Sequence, residues 1–105
     1  MIDLSSRQRK ILEKNAQPLP ALVQVGGAGV TDGQMRHIER LLGEHELVKV
    51  KFNDFKDEKS GLSASIAEQT GSTLVRIIGN VATFYRAAKD AKDRKYEKEL
   101  KNAEK

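Results

Sequence analysis

Hydrophobic residues recur along the chain with two different periods, and the change of period separates predicted helices from predicted strands. Apolar positions three or four residues apart indicate the buried face of an amphipathic helix. Such positions occur in three segments, around Leu12, Ile38 and Ile66. Runs of β-prone residues, some of them alternating with polar ones, indicate strands at 21–25, 47–52, 73–78 and 81–86. The predicted order of elements is therefore α-β-α-β-α-β-β.

Short polar motifs set the ends of several predicted elements. Ser5 with Gln8, and Thr31 with Gln34, have the spacing of a capping box. In that motif two side chains satisfy backbone N–H groups at the start of a helix. Gly79-Asn80 joins the last two β-prone runs, and a two-residue connection of this type predicts a hairpin.

The order of elements also predicts how the sheet is assembled. Strands separated by helices pair in parallel, and right-handed crossovers place the intervening helices on one face of the sheet. The closing hairpin adds an antiparallel pair. We therefore predict an α/β fold, a two-layer domain with a mixed four-stranded sheet, over residues 1–86. Residues 87–105 are mostly charged, and we expect a solvated helix or a mobile tail with no core there.

Composition narrows the class of protein. The chain has 105 residues, enough for one domain with a modest core. It contains no cysteine, which excludes disulfides, thiolate metal sites and cysteine nucleophiles. The net charge of +4 favours polyanionic partners. Because no apolar stretch is long enough to span a membrane, we expect a cytoplasmic protein with no membrane partner.

A glycine-rich loop, Gly26-Gly27-Ala28-Gly29, lies between a predicted strand and a capped helix start. Glycine has no Cβ, so a backbone made of it can approach another backbone closely. The N–H groups and the dipole at the start of a helix attract phosphate. A Gly-x-x-Gly loop that holds a nucleic-acid backbone is the arrangement used by KH domains. Two interpretations stay open, a backbone clamp for nucleic acid and a simple tight turn.

Basic residues near the loop could extend its attraction for phosphate. Arg36 and Arg40 lie four apart on the second helix, off its apolar face, and Lys49 and Lys51 share one face of a strand. Each is also compatible with an ordinary solvated surface, and both interpretations stay open. The candidate nucleic-acid site consists of the loop, the helix cap and nearby cations: Gly26, Gly27, Ala28, Gly29, Thr31, Arg36, Arg40, Lys49, Lys51 and Arg86.

Motifs for catalysis or cofactor binding are missing from the sequence. The loop lacks the Gly-Lys-Ser/Thr ending of a Walker loop, and the chain has no Gly-x-Gly-x-x-Gly pattern for a dinucleotide. His37 and His45 lie eight residues apart, which is not a typical metal-ligand spacing. Carboxylates occur in charge-mixed segments with no apolar setting to raise a pKa for acid–base work. We therefore predict a protein that is not an enzyme and that uses no metal or cofactor.

Several of these motifs occur together in a known family. They are Leu4–Gln8 before a helix, Pro18-Leu19, Val23–Thr31 around the loop, His45–Lys51, Ile78-Gly79 and Phe84–Arg86. With these motifs in order, the chain resembles the CRM domain, and more closely the bacterial stand-alone YhbY-type proteins. The resemblance implies an RNA-binding domain related in shape to the carboxy-terminal domain of bacterial translation initiation factor three. It further implies an RNA-contacting glycine loop, association with precursors of the large ribosomal subunit, and no catalysis.

Two departures from the family pattern affect the expected site. Many family loops carry a basic residue between the glycines, where this chain has Gly27 and Ala28. After Gly79 the family usually has Lys or Arg, whereas this chain has Asn80, which weakens a phosphate contact at the hairpin tip. We expect a monomer that binds precursor 50S ribosomal RNA. The alternatives are a protein-interaction module of a ribonucleoprotein and a site for a small phosphorylated ligand.

Overall fold

The computed structural model describes residues 3–103, which form four α-helices and four strands. The helices are α1 (Ser6–Ala16), α2 (Asp32–His45), α3 (Lys59–Thr70) and α4 (Glu97–Ala103). The strands are β1 (Ala21–Val25), β2 (Leu47–Phe52), β3 (Thr73–Ile78) and β4 (Val81–Tyr85). Single 3₁₀ turns at Lys56–Glu58 and Ala91–Asp93 precede α3 and α4. The predicted order of the first seven elements is confirmed.

The four strands form one mixed sheet in the order β1-β2-β4-β3. β1 and β2 are parallel, whereas β4 is antiparallel to both β2 and β3. The predicted α/β fold with a mixed four-stranded sheet is therefore confirmed. One end of this sheet collects three connections, namely the glycine loop after β1, the segment 53–58 after β2 and the turn between β3 and β4. We call it the loop end of the sheet.

α2 and α3 cover one face of the sheet, which we call the front face. Val48, Val50 and Phe52 share this face because alternate residues of a strand point the same way, and all three are buried. They belong to one apolar cluster with Ile38 of α2 and Ile66 of α3. Removing each such side chain from water stabilises the fold by roughly 1.5–3 kcal/mol. The prediction that both crossover helices lie on one face is confirmed.

The back face of the sheet is covered by α1 and α4, away from the loop end. Leu12 of α1 and Leu100 of α4 pack with Leu47 and Tyr85, whose side chains point to this face. The expectation that the chain after residue 86 has no core is therefore wrong, since Leu100 is only 6% exposed. The seven-residue α4 is too short to show a clear period, and its apolar partners come from distant segments. These two helices add a partial third layer to the predicted two.

Glu46, between α2 and β2, attaches the chain after β4 to the rest of the domain. It is 1% exposed and has φ 64°. Its carboxylate accepts the N–H of Ala88 at 2.7 Å through Oε2 and the N–H of Lys95 through Oε1. Burial, and secondly the Glu46 charge, raise the pKa of the Tyr85 phenol to about 12. Two backbone hydrogen bonds to one buried carboxylate thus fix a segment that has few apolar residues.

Both predicted helix caps are present, but only one is a complete capping box. Ser5 Oγ accepts the N–H of Gln8 at 3.1 Å, and Gln8 Oε1 accepts the N–H of Ser5 at 2.9 Å. At α2, Thr31 Oγ1 accepts the N–H of Gln34 at 3.1 Å. The Gln34 side chain instead donates from Nε2 to the carbonyl of Gln24 at 2.7 Å. The second half of that predicted box is wrong, because Gln34 connects α2 to the edge strand β1.

Candidate nucleic-acid interface

The glycine loop forms a tight turn directly after β1. The N–H of Gly29 donates to the carbonyl of Gly26 at 2.9 Å, which closes a four-residue turn. Gly29 has φ 72°, a left-handed conformation that residues with a Cβ rarely adopt. The tight turn between strand and helix therefore requires glycine at this position.

The same turn does not require glycine at Gly26 or Gly27. Both have φ values outside the left-handed region. A Cβ at Gly26 would meet no atom within 4 Å, and one at Gly27 would lie 3.7 Å from Asp54 Oδ2, an ordinary contact. The loop thus presents bare backbone at two positions where the fold would accept a side chain. This leaves space for another molecule to approach the main chain closely.

Backbone donors at the start of α2 lie beside the loop. The first N–H groups of a helix have no carbonyl one turn earlier, and Thr31 takes up the N–H of Gln34. The N–H groups of Asp32 and Gly33 lie at the positive end of the helix dipole. The Asp32 carboxylate adds negative charge in the same turn. The loop region therefore offers backbone donors without a cation of its own.

Sequence patterns miss two residues that lie against the loop, Asp54 and Phe55. The N–H groups of Asn53 and Asp54 donate to the carbonyl of Val25 at 2.9 and 3.2 Å, which holds this segment beside β1. The tip of the Phe55 ring lies next to Gly29, and the Asp54 carboxylate lies near Gly27. Parallel pairing of β1 and β2 is the signal that could have identified them. The connections that follow two neighbouring parallel strands meet at one end of the sheet.

Three of the predicted cations are exposed. Arg36 and Arg40 lie on the outer surface of α2. Arg40 Nε is 4.0 Å from Glu44 Oε1, a loose ion pair, and no carboxylate of the described chain lies within 4.0 Å of Arg36. Lys51 lies on the back face of the sheet, paired in register with Gln24 of β1. These three cations are therefore accessible to a ligand, from opposite faces of the sheet.

The other two predicted cations make contacts inside the domain. Lys49 Nζ donates to the carbonyls of Ala16 and Leu19 at 3.2 and 2.9 Å, beside the last turn of α1. Arg86 lies at the opposite end of the sheet from the loop, where it pairs with the Glu39 carboxylate and donates to a backbone carbonyl. The structure does not bring these two side chains to the glycine loop.

Residues 3–103 contain no group of three or more His, Cys, Asp or Glu side chains placed to hold a metal ion. In the same range, no helix has the length and the apolar content needed to cross a membrane.

Known protein sequences are similar to this chain over most of its length. The sequence profile of the CRS1 / YhbY (CRM) domain matches residues 4–86. A Haemophilus influenzae protein named RNA-binding protein is 34% identical over 93 residues, which are 88% of this chain and 94% of the relative. A Bacillus subtilis protein named Probable RNA-binding protein YqeI is 30% identical over 90 residues, which are 85% of this chain and 94% of the relative.

A solved structure has the same fold. The solution structure of the hypothetical protein SAV1595 from Staphylococcus aureus matches this chain with a TM-score of 0.73 and 30% sequence identity. The match covers 89% of this chain and 98% of the other. It supports the arrangement of helices and sheet described above over nearly the whole domain.

Proposed function

This chain belongs to the CRS1 / YhbY (CRM) domain family, and from this premise we propose that it binds RNA with its glycine loop. A stretch of RNA backbone lies against Gly26 and Gly27, and the N–H groups at the start of α2 bind a phosphate. Thr31 fixes the start of that helix beside the loop. The relatives named RNA-binding proteins support RNA as the polyanion that a basic chain would bind.

The observation that carries this proposal is the bare backbone at Gly26 and Gly27. The turn accounts for glycine at Gly29 alone, since the other two have neither a left-handed φ nor a crowded Cβ position. A ligand that comes within contact distance of the main chain does account for them, because a Cβ would stand between the ligand and the backbone. A sugar–phosphate chain is a ligand of this shape.

Charge around the loop comes from neighbouring elements. Arg36 and Arg40 on α2 and Lys51 on β2 are exposed, and each can pair with a phosphate along the RNA. Lys49 and Arg86 already have protein partners, so we assign them a structural role and expect a smaller contribution to RNA binding. The loop then fixes the geometry of the contact, and the surrounding cations supply most of the attraction.

We further propose that the RNA is precursor ribosomal RNA of the large subunit, bound in the cytoplasm by a monomer. The resemblance to stand-alone YhbY-type proteins supports this substrate. The protein would act by binding alone, without a cofactor and without a catalysed reaction. In such a role, backbone N–H groups and exposed guanidinium groups position the phosphates of the bound RNA.

A double substitution in the loop tests the proposal. We expect Gly27→Asp with Ala28→Asp to weaken RNA binding by about 10-fold or more, because two carboxylates would face the phosphates at short range. The matched control is Gly27→Asn with Ala28→Asn, which has nearly the same shape and no charge. Binding of fragments of large-subunit ribosomal RNA would be measured by filter retention at low salt for the three proteins.

Two results would contradict this assignment. If the aspartate variant is folded, as judged by its thermal unfolding midpoint, and still binds as the wild type does, the loop is not the site. If the asparagine and aspartate variants lose affinity equally, the loss comes from side-chain bulk, which agrees with a close approach to the bare backbone but contradicts a phosphate next to residues 27 and 28.

A further inference from the structure

Phe55 is a large aromatic residue that the fold leaves partly in solvent. It is 41% exposed, whereas the other two phenylalanines, Phe52 in β2 and Phe84 in β4, are completely buried. No other aromatic ring within residues 3–103 stacks on it, since the ring pair found there joins Tyr85 and Tyr96. Phe55 belongs to neither apolar cluster of the described residues, and the exposed part of its surface is open to a ligand.

The backbone at Phe55 adds a second observation. Phe55 has φ 57° and ψ 38°, a left-handed conformation that costs a residue with a Cβ about 1 kcal/mol or more. Glycine or asparagine would adopt it more easily. Phe55 is 41% exposed, so only part of its surface packs against the domain to offset the strain. Residues of this kind are concentrated at functional sites, where the surrounding structure holds them in place.

Backbone hydrogen bonds hold the segment around Phe55, so the point from which the ring projects has a defined position. The N–H groups of Asn53 and Asp54 bind the carbonyl of Val25, and the carbonyl of Phe55 accepts the N–H of Glu58 at 3.1 Å. These bonds fix the chain on both sides of the ring. A platform that is already in place loses little conformational entropy when a ligand binds.

The ring stands beside the glycine loop. A Cβ at Gly29 would lie 3.7 Å from Cε2 and 4.0 Å from Cζ of Phe55, so the tip of the ring reaches the turn where the RNA backbone is proposed to lie. Exposed aromatic rings beside a phosphate-binding surface stack on unpaired bases, and such stacking tolerates any base. A base inside a continuous duplex cannot make this contact, because its faces are covered by its neighbours.

We infer that Phe55 stacks on an unpaired nucleobase whose own backbone lies on the glycine loop, and that this site therefore selects RNA with a single-stranded nucleotide over continuous duplex. The inference rests on the proposed RNA binding and names the class of RNA that the site takes. Phe55 is an observation independent of the glycine loop, because the ring belongs to the connection after β2.

The test uses the absence of tryptophan from this chain. In Phe55→Trp the new indole is the sole tryptophan, so its fluorescence reports on position 55 alone. The probes are an RNA hairpin with an oligouridine loop and the stem of that hairpin as a continuous duplex. We expect the hairpin to quench the emission saturably and to bind about as tightly as it binds the wild type. The duplex should leave the emission unchanged.

Phe55→Leu is the matched loss variant, since leucine is apolar, has the same backbone strain and has no flat ring. We expect it to bind the hairpin about 5- to 100-fold more weakly than the wild type does, the range expected for one stacked base. Its affinity for the duplex should stay within about twofold. Thermal unfolding midpoints of both variants would show that each one folds.

The outcomes separate this inference from the proposed function. If Phe55→Leu binds the hairpin as the wild type does, or if the hairpin binds Phe55→Trp without changing its emission, the stacking role is wrong while RNA binding by the loop still stands. If Phe55→Leu loses affinity equally for the hairpin and the duplex, the inference is also wrong, because position 55 would then not select unpaired nucleotides. If the wild type binds neither probe at low salt but does bind the ribosomal RNA fragments, this inference is wrong and the proposed function stands; if it binds none of these RNAs, both fail.

Discussion

Asp54 places a carboxylate against the loop that is proposed to bind phosphate. Its backbone N–H binds Val25, so its position follows from the pairing of β1 with β2. Its side chain is exposed, and Oδ2 approaches the position of a Cβ at Gly27 to 3.7 Å. At this range a negative charge opposes an RNA phosphate even in a solvated setting. At the scale of single residues, the loop therefore combines favourable geometry with unfavourable charge.

Removing that charge should strengthen RNA binding. We expect Asp54→Asn to bind ribosomal RNA fragments about 2- to 5-fold more tightly at low salt, because one repulsive contact near the surface is lost. The backbone hydrogen bond to Val25 would remain, so the segment should keep its position. Dissociation constants measured at low and high salt would show the gain shrinking as salt rises.

Asp57→Asn is the matched control. Asp57 is exposed in the same connection, and its substitution changes the net charge by the same amount. We expect it to have a smaller effect than Asp54→Asn. Equal effects of the two variants would mean that overall charge, and not the place of Asp54, sets the affinity.

The sequence identifies types of residue better than it identifies their partners. The spacing of the glycines predicts a turn with exposed backbone, and Gly29 has the φ that this turn needs. The sequence cannot show that Lys49 donates a hydrogen bond just after α1 or that Arg86 pairs with Glu39, because those partners come from distant parts of the chain. Phe55 is missed for the same reason, since its neighbour Gly29 is 26 positions earlier.

At the scale of elements, the helices and strands whose hydrophobic residues recur with a regular period can be predicted from the sequence. α4 cannot. α4 spans seven residues and has Leu100 and Ala103 as its buried positions. Its place on the back face depends on Leu12 and Tyr85, which the sequence near α4 does not reveal. Burial in this layer raises the pKa of Tyr85 to about 12, from its ordinary value of 10.0, with the Glu46 charge as a second cause.

That raised pKa predicts how stability depends on alkaline pH. The unfolded chain ionises Tyr85 near pH 10 and the folded chain near pH 12, so the unfolded state releases its proton first. Stability is therefore fully present below pH 10 and falls as the pH rises towards 12, by up to about 2 kcal/mol. Urea unfolding at intervals between pH 9 and pH 11.5 would measure the loss.

Tyr85→Phe should show a flatter dependence over the same interval, since the ring stays and the phenol is gone. Burial also raises the pKa of Tyr96, so part of the slope should remain in this variant. A slope identical to that of the wild type would mean that Tyr85 ionises equally in both states, and hence that α1 and α4 do not cover it.

At the scale of the whole molecule, the three accessible cations of the proposed site are divided between two surfaces. Arg36 and Arg40 lie on α2 beyond the front face, and Lys51 lies on the back face. An RNA that contacts both surfaces can pass around the loop end of the sheet, where the glycine loop and Phe55 lie. The net charge of +4 favours this association through the release of counterions from phosphate.

Salt dependence measures this contribution. Three phosphate contacts predict that log Kd rises with log salt with a slope of about 2 to 3. We expect Arg36→Gln to lower that slope by about 1, as removal of one phosphate contact does. Lys89→Gln makes the same change in charge near Arg86 and Glu46, at the other end of the sheet, and should leave the slope unchanged. A flat dependence for the wild type would contradict electrostatic binding and favour a protein partner.

The contacts of α4 and of the segment just before it also have a consequence for how the chain folds as it is synthesised. Glu46 Oε1 accepts an N–H from a residue 49 positions later, and the Gln8 side chain donates to the carbonyl of Leu100, 92 positions away. Ribosomes add about 5–20 residues per second, so α1 emerges seconds before its partner exists. The front-face cluster uses residues 23–84 and can form once these have left the ribosome, whereas the back layer closes only after Leu100 has also emerged. Until then, the apolar side chains of α1 remain available to chaperones.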